Sequence, residues 1–248
     1  IAPKSSDDSV LIVGAGPAGL EAARALGQRG YRVTLADKAS EAGGRLIYER
    51  RLPGFTEWGR VVDYRTYQIS QMANVDLYLE SQMTQEALED FGADHIAIAT
   101  GSKWKKDGIG RQNPLGIDIS VGAEILTPDD IMAGTAPKGP VVLFDDDHFY
   151  MGGAIAERLC RDGWEVTFVT PAGEISSWTQ NTLDQYSVQK QLMDLGVHVV
   201  TAHNLTAIHA SEVELSCIYT GATKTLECAT TVMVTMRQPT DDLWKACP

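Results

Sequence analysis

The chain has 248 residues, 44% of them hydrophobic, which is enough for one large domain or two smaller ones with real cores. Its 33 acidic and 21 basic side chains give a net charge of -12, which argues against a nucleic-acid backbone or an anionic membrane surface as partner. No run approaches the roughly 18 apolar residues of a membrane span, and the start lacks signal-peptide features. We therefore expect a cytoplasmic protein with no nucleic-acid or membrane partner.

The chain opens with a strand, a glycine-rich turn and a helix. SVLIVGAG at 9–16 is a β-rich run, and PAGLEAARALGQRG at 17–30 has helical spacing that ends at a glycine. The strand YRVTLAD follows at 31–37. This βαβ order predicts a parallel sheet.

The turn between the first strand and helix carries Gly14, Gly16 and Gly19 in the pattern G-x-G-x-x-G. The first glycine permits a sharp turn, the second lets the backbone approach a pyrophosphate, and the third lets the helix pack on the strand. Asp37 ends the next strand, where a carboxylate can accept hydrogen bonds from both ribose hydroxyls of an adenosine and disfavours a 2'-phosphate. The pattern predicts a site for an adenine dinucleotide or diphosphate.

The middle of the chain predicts helices at 57–73 and from Thr84, and a buried strand at 94–101. An irregular segment rich in glycine and proline follows at 103–120 and marks a crossing between two halves. The stretch TPDDIM then predicts a helix with Thr127 as N-cap and Pro128 at its first position.

A second βαβ unit begins at Val141, but its turn carries Asp145, Asp146 and Asp147 in place of glycines. Its second strand ends at Thr170, with neither an acid for a ribose nor an arginine for a 2'-phosphate. Carboxylates there would repel a diphosphate, since two unit charges about 4 Å apart cost about 1 to 4 kcal/mol. The aspartates can also simply cap the following helix. We expect that a nicotinamide ligand has been lost from this unit.

The last third of the chain predicts a helix at 176–196 and strands at 197–204, 205–210, 212–219 and 225–236. The four cysteines show no C-x-x-C pair and no metal-ligand spacing, and the five histidines are scattered. The sequence therefore predicts no metal site and no catalytic residue.

The most specific segments are DSVLIVGAGPAGLEAARAL, GGRL, LPGFTEW, IAIATGSKW, LTPDDIM and ISSWTQNTLDQYSVQ. Together they resemble the C-terminal region of the trimethylamine dehydrogenase and histamine dehydrogenase family, relatives of 2,4-dienoyl-CoA reductase among the NADH:flavin oxidoreductases. The resemblance covers nearly the whole chain and implies an α/β fold of two Rossmann-like FAD/NAD(P)-binding domains with three ββα layers, the second inserted in the first. Residues 1–108 and 229–248 would form the ADP- or FAD-binding domain, and residues 109–228 an NAD(P)-binding-like domain with a degraded motif.

The resemblance also implies which residues contact the nucleotide. Gly14, Gly16, Pro17, Ala18 and Gly19 would hold the diphosphate, Asp37 the ribose, and Gly44, Arg45 and Leu46 the outer side of the nucleotide. Met83 would meet adenine through its backbone, Thr100 and Gly101 would border the same pocket, and Lys38 would flank adenine or face solvent.

In this family a TIM barrel with FMN and a [4Fe-4S] cluster precedes such a region, and no barrel is present here. Because the chain also starts at Ile1, we expect a C-terminal fragment that is inactive alone. In the reductase branch of the family, the first nucleotide domain binds FAD and the second binds NADPH. In the amine dehydrogenases, the resemblance implies that the first domain binds only ADP and that electrons pass to an electron-transferring flavoprotein. The absence of a nicotinamide-binding motif from the second βαβ unit favours the amine dehydrogenase branch. An NAD(P)H-dependent flavin reductase and a structural module with a vestigial nucleotide site are the alternatives.

Overall fold

The computed structural model describes residues 1–247, so Pro248, the last residue of the predicted first domain, lies outside the described residues. In chain order the strands and helices are β1 (Ser9–Val13), α1 (Pro17–Arg29), β2 (Arg32–Ala36), α2 (Leu46–Glu49), α3 (Gly59–Ser70), β3 (Val75–Tyr78), α4 (Gln85–Phe91), β4 (His95–Ile98), β5 (Ser102–Trp104), β6 (Asp118–Ile119), β7 (Ile125–Leu126), α5 (Pro128–Met132), β8 (Val141–Asp145), α6 (Tyr150–Arg161), β9 (Val166–Val169), α7 (Gln185–Asp194), β10 (His198–Val200), β11 (His203–Ile208), β12 (Glu212–Cys217), β13 (Thr223–Glu227), β14 (Thr230–Val234), β15 (Arg237–Pro239) and α8 (Asp242–Ala246). Short 3₁₀ helices span Thr56–Trp58 and Ser177–Thr182.

The chain divides into two compact units. Unit 1 is Ile1–Ser102 together with the segment from Pro239 onward, and unit 2 is Lys103–Gln238. These bounds differ from the predicted boundaries after residues 108 and 228. β14 pairs with β8 and β7 and so belongs to unit 2, and the start of unit 2 is fixed by a hydrogen bond of 3.0 Å from Lys105 N to Met236 O.

Unit 1 is built on a parallel sheet in the order β3-β2-β1-β4, as the βαβ pattern predicts. Successive side chains of β1 point to opposite faces. Ile12 belongs to a buried cluster with Leu20 of α1, whereas Leu11 belongs to a second cluster with Leu88 of α4. Helices thus cover both faces of the sheet, and the turn that follows β1 lies at its carboxyl edge, where ligands of open α/β sheets bind.

Unit 2 has the three layers that the resemblance implies. A parallel sheet in the order β10-β9-β8-β14-β7 packs through Phe144 and Met233 on a second sheet in the order β13-β12-β11-β6. The second sheet contributes Leu205 and Leu215 to the same buried cluster. Helix α6 packs against β8 and β9 and completes the ββα arrangement, so the predicted α/β class is confirmed.

The run 225–236, predicted as one strand, forms parts of two. β13 is the largely exposed edge strand of the second sheet, whereas every residue of β14 is buried within the parallel sheet. The chain passes from one sheet to the other at Cys228 and Ala229. A strand that is buried on both faces lacks the alternating pattern of an edge strand, and strand-forming residues continue through Cys228 and Ala229, so the sequence did not reveal the break.

The turn after β8 is occupied by its own aspartates. Asp145 and Asp146 are both fully buried. Asp145 Oδ1 accepts a hydrogen bond of 3.1 Å from His148 N, and Asp146 Oδ2 accepts one of 2.9 Å from Gln112 N. No side-chain hydrogen bond caps α6 at its N-cap residue, Phe149. These two carboxylates therefore bind backbone N–H groups of the surrounding loops. The interpretation that they cap α6 is wrong.

Burial changes the charge of this turn as well. It raises the pKa of Asp145 to about 7, against an opposing effect of His148 and with a further rise from Asp147. Burial also raises the pKa of Asp147, against the opposing charges of Arg237 and Arg111. The turn is therefore less negative near neutral pH than three ordinary aspartates would be. Its side chains fill the space between strand and helix, since a Cβ on the helix residue Gly152 would lie 2.7 Å from Asp145 Cγ.

We predict that unit 2 loses stability as the pH rises through the range between the ordinary pKa of an aspartate, 3.8, and the folded value of about 7 for Asp145. The folded chain binds the Asp145 proton more tightly than the unfolded chain, so the stabilisation is complete below this range and lost above it, on the order of a few kcal/mol. Urea unfolding at pH 5 and pH 8 measures the difference. Asp145→Asn should flatten the pH dependence, and Asp162→Asn, a change at a half-exposed position, should leave it intact. Equal slopes for wild type and Asp145→Asn would contradict the prediction.

Candidate functional site

Two glycines of the first turn are required by close backbone packing. Gly14 has φ +107°, and a Cβ there would lie 2.4 Å from the carbonyl oxygen of Ala99. A Cβ on Gly19 would lie 1.8 Å from the carbonyl oxygen of Gly14. These contacts hold β1, α1 and the chain after β4 together at the carboxyl edge of the sheet, as the spacing of the motif predicts.

Gly16 differs from both, because the fold itself leaves room beside it. Its φ is -73°, which any residue adopts, and the nearest atom to an added Cβ is Gly44 Cα at 4.0 Å. The open space lies at the N-terminus of α1, whose first residue is Pro17. Free N–H groups and the positive end of the helix dipole favour an anion at such a position.

Asp37 is held at the carboxyl end of β2 by two backbone groups. Its Oδ2 accepts a hydrogen bond of 2.6 Å from Ala15 N, and its Oδ1 accepts one of 2.8 Å from Ala39 N. A carboxylate oxygen has two lone pairs, so each oxygen retains capacity for a further donor. The carboxylate is thus fixed beside the glycine turn and can still accept hydrogen bonds from a ribose.

The second glycine turn, at 43–44, packs directly on the first. Gly43 N donates a hydrogen bond of 2.8 Å to Ala15 O, and a Cβ on Gly44 would lie 3.0 Å from Gly16 Cα. Arg45 follows at the start of α2 and donates from Nε to Glu49 Oε1 at 2.6 Å. The sequence motif EAGGRL therefore brings a guanidinium to the rim of the first turn.

These elements surround a cavity of about 580 Å³, within the range of about 300 to 1,000 Å³ that is usual for small-molecule sites. Every residue of the predicted site lines it except Gly19 and Leu46. Gly19 packs against the turn behind the cavity, and Leu46 lies in the buried cluster of unit 1 with Val62. Both support the site through packing and do not face a ligand.

The cavity also has lining residues that the sequence did not identify. They are Val13, Ser81, Gln82, Ala99, Ser102, Thr240, Asp242 and Leu243. The last three belong to the C-terminal segment, which is joined to the chain after β4 by two hydrogen bonds, 2.6 Å from Thr100 Oγ1 to Thr240 O and 2.9 Å from Thr240 N to Gly101 O. Nothing in the local sequence DDLWKA indicates that α8 closes this cavity.

The charged residues that line the cavity are Asp37, Lys38, Arg45 and Asp242. Arg45 is paired with Glu49, whose side chain is 2% exposed, so part of its charge is offset inside the protein. For a diphosphate the favourable potential comes from Lys38, the remaining charge of Arg45 and the N-terminus of α1. This is the local positive potential that an anionic ligand needs in a chain with net charge -12.

Within residues 1–247, no group of three or more His, Cys, Asp or Glu side chains could hold a metal ion. The four cysteines are free thiols. In the same described range, no helix is long and apolar enough to cross a bilayer.

Comparison with known proteins places both units in described families. Residues 12–77 match the model of an NAD(P)-binding Rossmann-like domain, and residues 126–240 match the model of an OYE-like second alpha/beta domain. Dimethylamine dehydrogenase of Hyphomicrobium sp. (strain x) is 33% identical over 270 residues, which cover 98% of this chain and 36% of that protein.

Two solved structures have nearly the same fold. Histamine dehydrogenase from Rhizobium sp. 4-9 is 47% identical with a TM-score of 0.96, and the match covers 99% of this chain and 38% of that one. The 6-hydroxypseudooxynicotine amine oxidase from Pseudomonas geniculata N1 is 41% identical with a TM-score of 0.95, covering 99% of this chain and 37% of that one. The chain thus spans less than two fifths of the length of these relatives. It belongs to the trimethylamine dehydrogenase and histamine dehydrogenase family and corresponds to its C-terminal region.

Proposed function

We propose that unit 1 binds an adenine nucleotide, ADP or FAD, and that this chain is the nucleotide-binding part of an iron-sulfur flavoprotein oxidoreductase related to the amine dehydrogenases. The observation that carries the proposal is the space beside Gly16. Packing explains Gly14 and Gly19, but the fold has room for a methyl group at Gly16. A glycine there is accounted for when a phosphate approaches the backbone at the N-terminus of α1.

The remaining residues fit the parts of such a nucleotide. The carboxylate of Asp37 accepts hydrogen bonds from the ribose hydroxyls and repels a 2'-phosphate, which favours ADP over an NADP-type ligand. Arg45 and Lys38 supply positive charge beside the diphosphate, and Lys38 can also flank adenine. Met83, which packs with Leu243 against the buried cluster around Leu88, borders the adenine end of the cavity.

The parent protein, in this proposal, holds FMN and a [4Fe-4S] cluster in a TIM barrel that is not part of this sequence. The names of the relatives support an amine dehydrogenase-like activity for it. This chain supplies no catalytic residue and is inactive alone. Its partners are that barrel and an electron-transferring flavoprotein, and its location is the cytoplasm.

The filled turn of unit 2 argues against an NAD(P)H-dependent flavin reductase. Asp145 and Asp146 are buried in the strand-to-helix turn that corresponds to the glycine turn of unit 1. A yellow protein that bleaches on addition of NADPH would support the reductase instead. A structural module with a vestigial site would bind no adenine nucleotide at all.

The decisive experiment is a mass spectrum of the nucleotide that co-purifies with the protein, followed by calorimetry with ADP, NADH and NADPH. We expect ADP or FAD in the spectrum and a higher affinity for ADP than for either nicotinamide nucleotide. Absence of any adenine nucleotide together with no heat of ADP binding would refute the proposal.

We predict that Gly16→Ala weakens ADP binding without unfolding the protein. The added methyl group fits the ligand-free fold, but it enters the space required by the phosphates, at a cost of about 1 to 3 kcal/mol or roughly tenfold and more in affinity. Calorimetry measures the affinity and thermal unfolding measures the stability. Gly173→Ala, at a glycine with no atom within 4 Å of an added Cβ, is the matched control and should bind ADP like wild type. Wild-type affinity in Gly16→Ala would contradict the assignment of the phosphate site.

Asp37→Asn should weaken ADP binding by about tenfold, because hydrogen bonds to a charged group contribute about 1.5 to 3 kcal/mol. It should also narrow the preference for ADP over adenosine 2'-phosphate 5'-diphosphate, since the repulsion of the extra phosphate is removed. Calorimetry with both ligands gives the ratio. In excess ADP the melting temperature of wild type should rise more than that of the variant, because a bound ligand stabilises the fold by mass action. An unchanged ratio would show that Asp37 does not face the ribose.

A further inference from the structure

We propose that Glu49 is a positioning residue of the nucleotide site, which holds the guanidinium of Arg45 toward the phosphates. The inference rests on the proposed nucleotide binding and assigns a role to a side chain that does not itself line the cavity. Arg45 does line it, and the preceding residue, Gly44, contacts Gly16 of the phosphate turn.

The Arg45 guanidinium is held from two directions. Its Nε donates to Glu49 Oε1 at 2.6 Å, and its Nη1 donates to the carbonyl oxygen of Ser102 at 3.1 Å. The side chain of Glu49 is 2% exposed and that of Arg45 is 21% exposed. The anchoring acid is therefore buried in unit 1, whereas the arginine reaches from it to the cavity.

Stability alone does not account for this arrangement. Burial of a carboxylate carries a desolvation cost that an ion pair often fails to recover, and an apolar residue of similar volume commonly serves the fold as well or better. The helix that joins the two residues, Leu46–Glu49, is a single short turn, and an i, i+4 pair contributes only about 0.2 to 0.5 kcal/mol to a helix. A fixed guanidinium does have a use at a phosphate site, because less side-chain entropy is lost when the ligand binds.

A second arginine pair in the chain provides a comparison. Arg158 Nε donates to Asp162 Oδ2 at 2.6 Å, also at i, i+4, but these side chains are 40% and 45% exposed and lie at the C-terminal end of α6 in unit 2. That pair has the spacing and geometry of an ordinary solvent-exposed pair. It serves as the matched control for the removal of an arginine partner.

The test compares Glu49→Gln with Glu49→Met by calorimetry, with ADP and with adenosine as ligands. Both variants remove the negative charge and keep the approximate volume, but only Gln retains an acceptor for Arg45 Nε. We expect Glu49→Gln to bind ADP at least as tightly as wild type and Glu49→Met to bind it about tenfold more weakly than Glu49→Gln. Adenosine, which has no phosphate, should bind both variants equally, and Asp162→Asn should bind ADP like wild type.

Equal ADP affinities of the two Glu49 variants, with wild-type binding intact, would refute the positioning role and leave the proposed function standing. No ADP binding by wild type would refute both. Should Glu49→Met fail to fold, the side-chain ¹⁵Nε–H resonance of Arg45 in wild type, identified by its loss in Arg45→Lys, decides. The positioning role is supported if the Arg45 Nε–H proton exchanges slowly with water in the ADP-free protein and its resonance shifts when ADP is added. Rapid exchange of this proton in the ADP-free protein overturns the role.

Discussion

Direct backbone contact between loops at the carboxyl edge of one parallel sheet is the constraint on which unit 1 depends. A Cβ on Gly14 would lie 2.4 Å from Ala99 O, and a Cβ on Gly44 would lie 3.0 Å from Gly16 Cα, so side chains at positions 14 and 44 would crowd the neighbouring backbone. Since the loops touch each other, their residues and the start of α1 line one shared cavity. The same contacts fix the positions of Asp37 and Arg45, whose hydrogen bonds run to the backbone of neighbouring loops.

The two parallel βαβ units of the chain show what that constraint excludes. Both have a central strand that enters a helix, but in unit 2 the strand continues through Asp145 and buried carboxylates bind the surrounding loop backbone. Burial keeps one of these carboxylates partly neutral near pH 7, which reduces the repulsion that the sequence alone suggests. The difference between the two units is thus one of occupied space more than of charge. The βαβ topology is thus retained in unit 2, while side chains fill the space that a ligand would occupy.

Sequence reasoning was sufficient where the signal is local. The first βαβ unit, the α/β class and the capping of α5 by Thr127 follow from motifs of a few residues. The predicted residues that line the cavity follow from the glycine motif together with the family resemblance. Sequence reasoning failed where a strand boundary or a cavity residue depends on contacts between segments that are far apart in the sequence. The end of β13 and the start of β14 are set by two different sheets, and the contributions of Thr240 and Leu243 to the cavity depend on contacts with residues far away in the chain. Glu49 gave no signal either, because burial of a charged residue in a short helix has no local signature.

Hydrogen bonds of Thr240 with Thr100 and Gly101 join the two segments of unit 1, which are separated in the sequence by all of unit 2. Unit 2 is contiguous, so during translation all of its residues leave the ribosome before the segment that completes the wall of the first cavity. The nascent chain can bury the core of unit 2 while unit 1 still lacks α8. Final assembly of the nucleotide cavity is consequently a late step of biosynthesis, even though its glycine turn is among the earliest parts of this sequence to be made.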